Sequence, residues 1–498
     1  MRRRLLSLLL ISIFSSASNL CGQTGTPRLG TNSVQEVIAA MQIEEKVSLV
    51  VGMGFPFPNP SLQSEEDRRT PDKVPGAAGR THAIPRLGIP SLTLADGPAG
   101  VRITPIREGD ATHTYYATGF PIATLLASSW DTELVSRVGI AMGSEVRDYG
   151  IDILLAPGMN IHRNPLGGRN FEYYSEDPVV AGKIAAAFVK GVQSNGVGTS
   201  IKHFAANNQE FNRFQSNSIV GERALREIYL KSFEIAVRES RPWSVMSSYN
   251  RINGIPASEN SDLLTTILRG EWGFKGFVMS DWWGGTDATL QMQAGNDLLM
   301  PGTITQTQAI IKAINNGTLS KTVLDQNVER ILNVILQSPS FKNSKYSNEP
   351  DLKGNAATAR QAATEGMVLL KNETGALPLR SPAKVALVGN ASYDLAAGGT
   401  GSGNVNKKYV ISLDQGLLNA GYTIDDPLRK AYLRFIEQEK EKQPKVDAFR
   451  LPPPIAEMPV DANRLEQLAS DADTAIITIG RNSGEFADRK VDGDFNLT

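Results

Sequence analysis

The segment GFVMSDWW, at residues 276–283, gives the clearest indication of the fold. Phe277–Ser280 is a short apolar run with a glycine before it, a pattern that indicates a buried β-strand. Asp281 follows as the first charged residue, so the strand delivers a carboxylate at its end. In α/β folds the carboxyl ends of parallel strands form the face that binds ligands. The sequence therefore predicts a parallel sheet with Asp281 on its functional face.

Similar apolar runs recur on both sides of this stretch and alternate with amphipathic segments. The strand candidates are Ser91–Ala95, Ile122–Ala127, Ile153–Ala156, Thr199–His203, Ser244–Ser248, Phe277–Ser280 and Asp297–Met300. The helix candidates are Thr132–Tyr149, Val179–Asn195, Glu222–Glu239, Asp262–Trp272 and Gln306–Asn316. This alternation predicts βα units around a parallel sheet. Because about seven strands can be counted where a TIM barrel has eight, we expect a (β/α)8 TIM-like barrel over residues 30–340 that is incomplete or has one irregular strand.

A second α/β unit is predicted over residues 357–498. Residues 341–356 are polar and contain Gly, Pro and Asn, which suits a linker. The chain stops shortly after the second clear strand of this unit, and two strands do not make a stable open sheet. We therefore expect the second domain to be cut short and the sequence to be a fragment. The predicted elements are a helix at Ala357–Leu370, a strand at Lys384–Val388, a helix at Arg429–Lys442 and a strand at Thr474–Ile479.

The composition is that of a globular protein without a polyanionic partner. Of the 498 residues, 41% are hydrophobic and 21% charged, and the formal net charge is −1. No basic patch interleaved with aromatic residues supports nucleic-acid binding. The 4 histidines show no paired metal-ligand spacing, so neither a metal nor a cofactor is expected. No stretch after the N-terminus predicts a membrane span, and the oligomeric state cannot be read from the sequence.

The N-terminus has the pattern of a secretory signal peptide. Arg2, Arg3 and Arg4 precede the apolar run Leu5–Phe14, and small residues follow. That run is too short to span a bilayer. We expect a signal peptide at residues 1–22 and a periplasmic or secreted protein; a non-cleaved anchor and lipid attachment at Cys21 are the alternatives. Since the chain has 1 cysteine, it forms no internal disulfide.

Asp281 and the pair Lys202-His203 are the first candidates for chemistry. A carboxylate beside Trp282 suits attack on a sugar, whose apolar face packs on an indole ring. The alternative for Asp281 is a helix N-cap. Lys202 and His203 end another strand and offer donors for hydroxyl groups. Alternatively, the lysine pairs with a nearby carboxylate, or it forms a Schiff base as in a barrel aldolase.

Three loops add further candidates. Residues 96–102 place Asp96 and Arg102 in a turn where they could bind a diol from two sides, or form a structural ion pair. Residues 164–172 carry Arg169 next to a glycine pair that permits close backbone approach. Glu485 is a single glutamate in the polar loop 480–489, and surface loops often contain such a residue.

Taken together, these segments resemble glycoside hydrolase family 3 of the β-glucosidase type. The matching stretches run in family order: ADGPAGVR (95–102), NPLGGRNFEYYSEDP (164–178), KHFAANNQE (202–210), VMSSYNRING (245–254), GFVMSDWW (276–283), GGTGSG (398–403) and GRNSGEFADRKVDGDF (480–495). The resemblance implies a barrel followed by an α/β sandwich with the active site between them. It also implies Asp281 as nucleophile and Glu485 as acid/base. The residues implied to line the sugar subsite are Asp96, Arg102, Arg169, Lys202, His203, Arg213, Met246, Tyr249, Trp282 and Ser402.

The implied activity is that of an exported enzyme releasing glucose from the non-reducing end of β-glucosides by a retaining mechanism. The family's N-acetylglucosaminidase branch has a histidine-aspartate pair after its lysine-histidine motif, whereas Ala205-Ala206-Asn207 follows here, which sends the acid/base role to the second domain. A retaining mechanism needs Asp281 ionised, with a pKa lowered by nearby Arg and Lys, and Glu485 protonated, with a pKa raised by burial and by Asp281. A β-xylosidase or arabinosidase, or a sugar-binding protein without turnover, are the alternatives.

Two features depart from the family pattern. Phe486 follows Glu485 where the pattern usually has glycine, and a bulky side chain there could narrow the entrance or turn the carboxylate. The family's sandwich domain also continues well beyond the residues present here, and many of its β-glucosidases add a fibronectin-like domain.

Overall fold

The structure is a computed structural model that describes residues 25–379, 382–446, 450 and 452–496. The predicted signal peptide and Cys21 lie outside these residues. The strands are β1 Gly79–Arg80, β2 Thr93–Asp96, β3 Ile153–Leu155, β4 Gly198–Phe204, β5 Asn217–Ser218, β6 Ser244–Ser247, β7 Arg251–Ile252, β8 Ile255–Pro256, β9 Phe277–Ser280, β10 Lys384–Val388, β11 Thr423–Ile424 and β12 Thr474–Ile477.

Helices fill most of the chain between these strands. The α-helices are α1 Val34–Ala40, α2 Ile43–Val50, α3 Glu65–Arg69, α4 Ala123–Ser128, α5 Thr132–Asp148, α6 Pro178–Gln193, α7 Glu222–Ala224, α8 Lys231–Ser240, α9 Ala288–Ala294, α10 Ile304–Asn315, α11 Lys321–Ile335, α12 Leu352–Gly366, α13 Leu413–Asn419, α14 Asp426–Lys442 and α15 Ala462–Asp471. π-Helical segments occur at Leu225–Tyr229 and Asp262–Glu271. Each of the five helices predicted between residues 132 and 316 is therefore helical.

The first domain is built on a curled sheet with the strand order β1-β2-β3-β4-β6-β9. From β2 to β9 the neighbouring strands are parallel, and β1 is antiparallel to β2. Single bridges continue the sheet from Met279 to Leu298, from Leu299 to Val51 and from Met53 to Arg80. Among the described residues these bridges, rather than regular strands, link the two edges of the six-stranded sheet, so the prediction of a TIM-like barrel without a full set of eight regular strands is confirmed.

The barrel strands are buried on both faces, as expected for parallel strands covered by helices. In β3, Leu154 joins a core cluster with side chains of α5 and α6, whereas Ile153 and Leu155 join a second cluster with α10 and α11. The strands bearing Lys202 and preceding Asp281 are fully buried. Both side chains are thus fixed by a rigid scaffold at the carboxyl ends of their strands.

Two sequence-based strand predictions are wrong in detail. Ile122–Ala127 is not a strand, because residues 123–128 form the helix α4. Its Ala and Leu residues are strong helix formers, and a short apolar run does not distinguish a buried strand from a buried helix. Asp297–Met300 takes part in the sheet only through bridges at Leu298 and Leu299. The segments at 51–53 and 79–80 escaped prediction because runs so short carry no periodicity.

The second domain contains a parallel sheet in the order β11-β10-β12. The strand predictions at Lys384–Val388 and Thr474–Ile479 are confirmed, apart from the last two residues of the second. The predicted helix Ala357–Leu370 instead begins at Leu352 and ends at Gly366. α14 packs on β10, and their side chains form a third apolar cluster. The prediction of an α/β domain after the barrel is therefore confirmed.

Among the described helices, none combines the length and hydrophobicity that a bilayer crossing requires. Nor do three His, Cys, Asp or Glu side chains in the described part of the chain converge as metal ligands would.

Candidate active site

Asp281 lies directly after β9 and is only 6% exposed. Its backbone N–H donates to the carbonyl of Ser247 at the end of β6, at 3.1 Å. Its Oδ1 accepts the backbone N–H of Trp282 at 2.8 Å. Oδ2 is buried with Nε2 of His203 3.7 Å away, and a hydrogen bond from Tyr249 to the carboxylate favours its charged form. The backbone thus anchors one carboxylate oxygen, and side chains of the site surround the other.

The alternative role of Asp281, a helix N-cap, is not what the structure contains. The next helix, α9, begins at Ala288, and its N-cap is Asp287, whose side chain accepts the N–H groups of Thr289 and Leu290.

Asp96, Lys202 and Arg102 form an ion-paired cluster at the ends of β2 and β4. Nζ of Lys202 is 3.5 Å from Oδ1 of Asp96, and Nη1 of Arg102 is 3.3 Å from Oδ2. A carboxylate flanked by two cations presents acceptors and donors side by side, the arrangement that a pair of sugar hydroxyls requires. Lys202 is thus paired with a nearby carboxylate, one of the alternatives that its position in the sequence left open.

His203 and Tyr249 complete the surroundings of Asp281. His203 is 1% exposed, and burial, followed by the charges of Arg169 and Lys202, lowers its pKa well below its ordinary value. It is therefore neutral, with Nδ1 3.2 Å from the hydroxyl of Tyr173. Burial raises the pKa of Tyr249 well above its ordinary value, and the charge of Asp281 adds to that shift. Both side chains can orient a hydroxyl without adding charge.

Glu485 comes from the second domain and points into the same region. It sits in a turn closed by a bridge between Gly484 and Ala487. Its Oε1 accepts the backbone N–H of Ser402 at 2.8 Å and the Ser402 hydroxyl at 2.6 Å. Ser402 belongs to the glycine-rich loop 398–403, and a Cβ at Gly401 would lie 2.5 Å from Oε1 of Glu485. Glycine at 401 therefore gives the carboxylate the space it occupies.

Two arginines of the first domain hold the Glu485 carboxylate. Nη1 of Arg213 is 3.2 Å from Oε2, and Nη2 of Arg169 is 3.6 Å from Oε1. Both guanidinium groups also favour the charged form of Asp281. Arg169 and Arg213 are 4% and 3% exposed, so little water screens these interactions. The structure thus brings Asp281 and Glu485 under the influence of the same two cations.

The pKa shifts of the two acids run opposite to the sequence-based expectation. Burial is the largest effect on Asp281 and raises its pKa, although Arg169, Arg213 and Lys202 oppose it. Burial would also raise the pKa of Glu485, but Arg169, Arg213 and the hydrogen bonds from Ser402 outweigh it and lower that pKa. The expectations of a lowered value for Asp281 and a raised value for Glu485 are wrong, because they weighed neither the burial of Asp281 nor the cations around Glu485.

Phe486 occupies a backbone position that favours glycine. Its φ is 71°, and it is the third residue of the turn that begins at Gly484, where a type II turn requires positive φ. This explains why glycine is usual at this position in the resembling family. The Phe486 ring lies 4.1 Å from the guanidinium carbon of Arg213 and is 43% exposed, so it stands at the edge of the site.

The other predicted site residues lie deeper. Trp282 is 9% exposed, and its indole N–H donates to the carbonyl of Ala78 at 3.1 Å. Met246 is 1% exposed and belongs to the same apolar cluster as Trp282. No polar contact among the described residues joins Met246 to the acids, so it supports the site by packing.

Sequence reasoning missed three carboxylates that organise the site. Glu172 pairs with Arg169 in a buried salt bridge. Glu210 is 2.7 Å from Nη1 of Arg213, and burial raises its pKa to about 7. Asp488 accepts N–H groups from the first domain. All lie within stretches quoted above, but a single sequence does not indicate which arginine or amide each one meets.

Comparison with known proteins yields two matching family models. Residues 91–334 match the glycosyl hydrolase family 3 N terminal domain, and residues 367–497 match the glycosyl hydrolase family 3 C-terminal domain. Together they cover both domains described above.

The relatives are longer than this chain. Thermostable beta-glucosidase B of Acetivibrio thermocellus is 43% identical over 394 residues, which is 78% of this chain and 48% of the relative. An exo-alpha-(1->6)-L-arabinopyranosidase of Bifidobacterium longum is 40% identical over 70% of this chain and 48% of its own length. The solved structure of beta-glucosidase 3B from Thermotoga neapolitana with alpha-D-glucose is 50% identical, with a TM-score of 0.87, over 93% of this chain and 65% of that one. The chain spans about half the length of these curated relatives.

Proposed function

Because the chain belongs to glycosyl hydrolase family 3, we propose that it releases glucose from the non-reducing end of β-glucosides by a retaining mechanism. Asp281 is the nucleophile and Glu485 the acid/base in this proposal. The names of several relatives as β-glucosidases favour glucose as the sugar.

One observation carries the proposal: two buried carboxylates from different domains share a pair of arginines. Arg169 and Arg213 pair with Glu485 and act on the charge of Asp281. A retaining glycosidase needs two carboxyl groups about 5–5.5 Å apart, one to attack and one to transfer protons. Two acids that serve a single sugar must sit in one electrostatic environment, and these two do.

The proposed reaction has two steps. Oδ2 of Asp281, the oxygen that the backbone N–H of Trp282 does not hold, attacks the anomeric carbon while Glu485 gives its proton to the departing glycosidic oxygen. The C–O bond to the aglycone breaks and an ester bond to Asp281 forms. Glu485, now ionised, removes a proton from water, whose oxygen attacks the anomeric carbon and releases Asp281. The sugar leaves with its original β configuration.

In the free site burial raises the pKa of Asp281, whereas Arg169, Arg213 and Ser402 lower that of Glu485. These contacts therefore oppose protonation of Glu485, which the first step requires. Sugar hydroxyls that accept hydrogen bonds from Arg169 or Arg213 compete with Glu485 for these donors. Weaker pairing raises the affinity of Glu485 for a proton, so substrate binding promotes the state that reacts.

Asp96, Lys202 and Arg102 are proposed to hold the sugar hydroxyls. Their donors and acceptors are already paired with one another at 3.3–3.5 Å, which fixes their orientation before substrate arrives. Contacts that strengthen as the ring flattens lower the barrier to reaction as well as the energy of binding.

Substitution of Asp281 tests the proposal. Asp281→Asn removes the attacking charge and should abolish nearly all turnover of nitrophenyl β-glucoside. Asp287→Asn is the matched control, since Asp287 is an aspartate six positions along that caps α9 and asparagine caps helices equally well. Normal activity in Asp281→Asn, or equal losses in both variants, would rule out the nucleophile. A panel of nitrophenyl glucosides, xylosides and arabinosides establishes the sugar.

The N-terminal pattern carries a second, separate proposal, namely that the chain is exported. Fractionation of expressing cells and N-terminal sequencing of the product test it. Recovery of the protein in the cytoplasm with its N-terminus still at Met1 would exclude export.

A further inference from the structure

Asp488 lies three residues after Glu485 and reaches across to the first domain. Its Oδ1 accepts the backbone N–H of Gly168 at 3.0 Å and that of Glu210 at 3.0 Å. Its Oδ2 accepts the N–H of Phe211 at 2.9 Å and lies 3.1 Å from the N–H of Glu210. One carboxylate therefore satisfies three backbone donors from the loops that follow β3 and β4.

The surrounding backbone is shaped to receive this contact. The N–H of Arg489 donates to the carbonyl of Leu166 at 2.7 Å. A Cβ at Gly168 would lie 2.1 Å from the carbonyl oxygen of Ala487 and 2.7 Å from that of Gly484. Any side chain at 168 would push the turn away, so glycine there permits the two backbones to meet.

Glu210 holds the opposite side of the same turn. Its Oε2 accepts the N–H of Phe486 at 2.8 Å and the Nη1 of Arg213 at 2.7 Å. Glu485 lies next to Phe486 and shares Arg213 with Glu210. The carboxylates of Glu210 and Asp488 thus fasten the turn 484–487, which carries Glu485, to the barrel from two sides.

We propose that Asp488 is a positioning residue whose carboxylate fastens the turn bearing Glu485 to the barrel loops and so holds Glu485 over Asp281. Hydrogen bonds from N–H groups to an ionised acceptor are stronger than neutral ones, and here they bridge two domains. The catalytic consequence rests on the proposed function, while the fastening itself does not.

Asp488→Asn tests the fastening, because an amide nitrogen would face a backbone N–H in place of an acceptor. Asp492→Asn is the matched control, since Asp492 is an exposed aspartate in the same segment whose side chain accepts a hydrogen bond from the nearby Asn496. Amide hydrogen exchange followed by mass spectrometry of peptides covering 164–172, 205–214 and 480–490 should speed up by about tenfold or more in Asp488→Asn alone.

Turnover then tests the positioning role. Loss of a well-placed general acid should lower kcat/KM by about a hundredfold for β-glucosides with poor leaving groups, and by less than about threefold for a dinitrophenyl leaving group. Gly168→Ala displaces the turn without altering Asp488 and should give the same pattern, so it serves if Asp488→Asn folds poorly.

Each outcome has a defined meaning. Unchanged amide hydrogen exchange in both Asp488→Asn and Gly168→Ala would overturn the proposal that Asp488 fastens the turn. Faster exchange with equal losses for all leaving groups overturns the positioning role, because general unfolding would act in that way. If the unmodified chain hydrolyses no glycoside, the proposed function fails, and the exchange rates still decide whether Asp488 fastens the turn.

Discussion

Removal of the Glu485 side chain should create an anion-binding site. In the intact chain the carboxylate accepts from both the N–H and the hydroxyl of Ser402 and pairs with Arg213 and Arg169. Glu485→Ala leaves these donors in place around a small buried space. Both guanidinium groups are nearly inaccessible to solvent and keep Glu172 and Glu210 as partners, so they lose one of their two counter-charges without gaining water in exchange.

The cost can be estimated from the burial of the group. Breaking a buried ion pair by removal of one partner costs about 3–5 kcal/mol when the remaining charge is left uncompensated, and the pairs with Glu172 and Glu210 place the cost here toward the lower end. An anion that binds only the folded state restores RT ln(1 + [L]/Kd), which is about 2.7 kcal/mol at a hundredfold excess over Kd. Azide or formate at such a concentration should therefore recover more than half of the smaller estimate. Glu485→Gln keeps the volume but not the charge, and should respond less to anions.

The assay is thermal unfolding of Glu485→Ala in a series of azide and formate concentrations at constant ionic strength, with the unmodified chain as control. The unfolding temperature of the variant should rise with anion concentration, and that of the unmodified chain should not. The same azide should restore turnover of a dinitrophenyl β-glucoside and yield glucosyl azide. A variant as stable as the unmodified chain, with no response to either anion, would refute the assigned environment of Glu485.

Three further predictions concern Asp297, Phe486 and Asp281. Asp297 is 0% exposed and pairs with Arg269 at 2.5 Å, so Asp297→Asn should lower the free energy of unfolding by about 3–5 kcal/mol. The same substitution at the exposed Asp426 should change it by less than about 1 kcal/mol. Urea unfolding of the two variants measures both values. Phe486→Gly should be more stable than Phe486→Ala by about 1 kcal/mol, because only glycine accepts a φ of 71° without strain, and thermal unfolding of the pair measures this. In the unmodified chain, kcat/KM for a dinitrophenyl β-glucoside, whose leaving group needs no acid, should rise with pH through the raised pKa of Asp281, with a midpoint above the ordinary value of about 3.9; a midpoint at or below that value would contradict a raised pKa for Asp281.

The sequence predicted those parts of the fold that are encoded locally. The apolar run before Asp281 and the run that carries Lys202 are long enough to show strand character, and both are strands. The residues 79–80 pair for only two positions, and no local pattern marks such a segment. At 122–127 the apolar run was equally compatible with a helix, which is what forms.

The candidate site was predictable in its members but not in its electrostatics. Asp281 and Glu485 were identified by family resemblance, and the structure gives them common neighbours. The direction of each pKa shift depends on guanidinium groups from loops far away along the chain, and on how deeply Asp281 is buried. Glu210 and Asp488 lie within two of the motifs recognised in the sequence, but only the folded chain shows that their hydrogen bonds hold the turn bearing Glu485.

Mass spectrometry of the chain after reaction with a dinitrophenyl 2-deoxy-2-fluoroglucoside, whose fluorine slows release of the covalent intermediate, identifies the nucleophile. If Asp281 attacks the anomeric carbon, a fluoroglucosyl adduct should appear on the peptide that contains residues 276–283, attached to Asp281. Turnover of β-glucosides without any adduct, or an adduct on a different residue, would contradict Asp281 as the nucleophile.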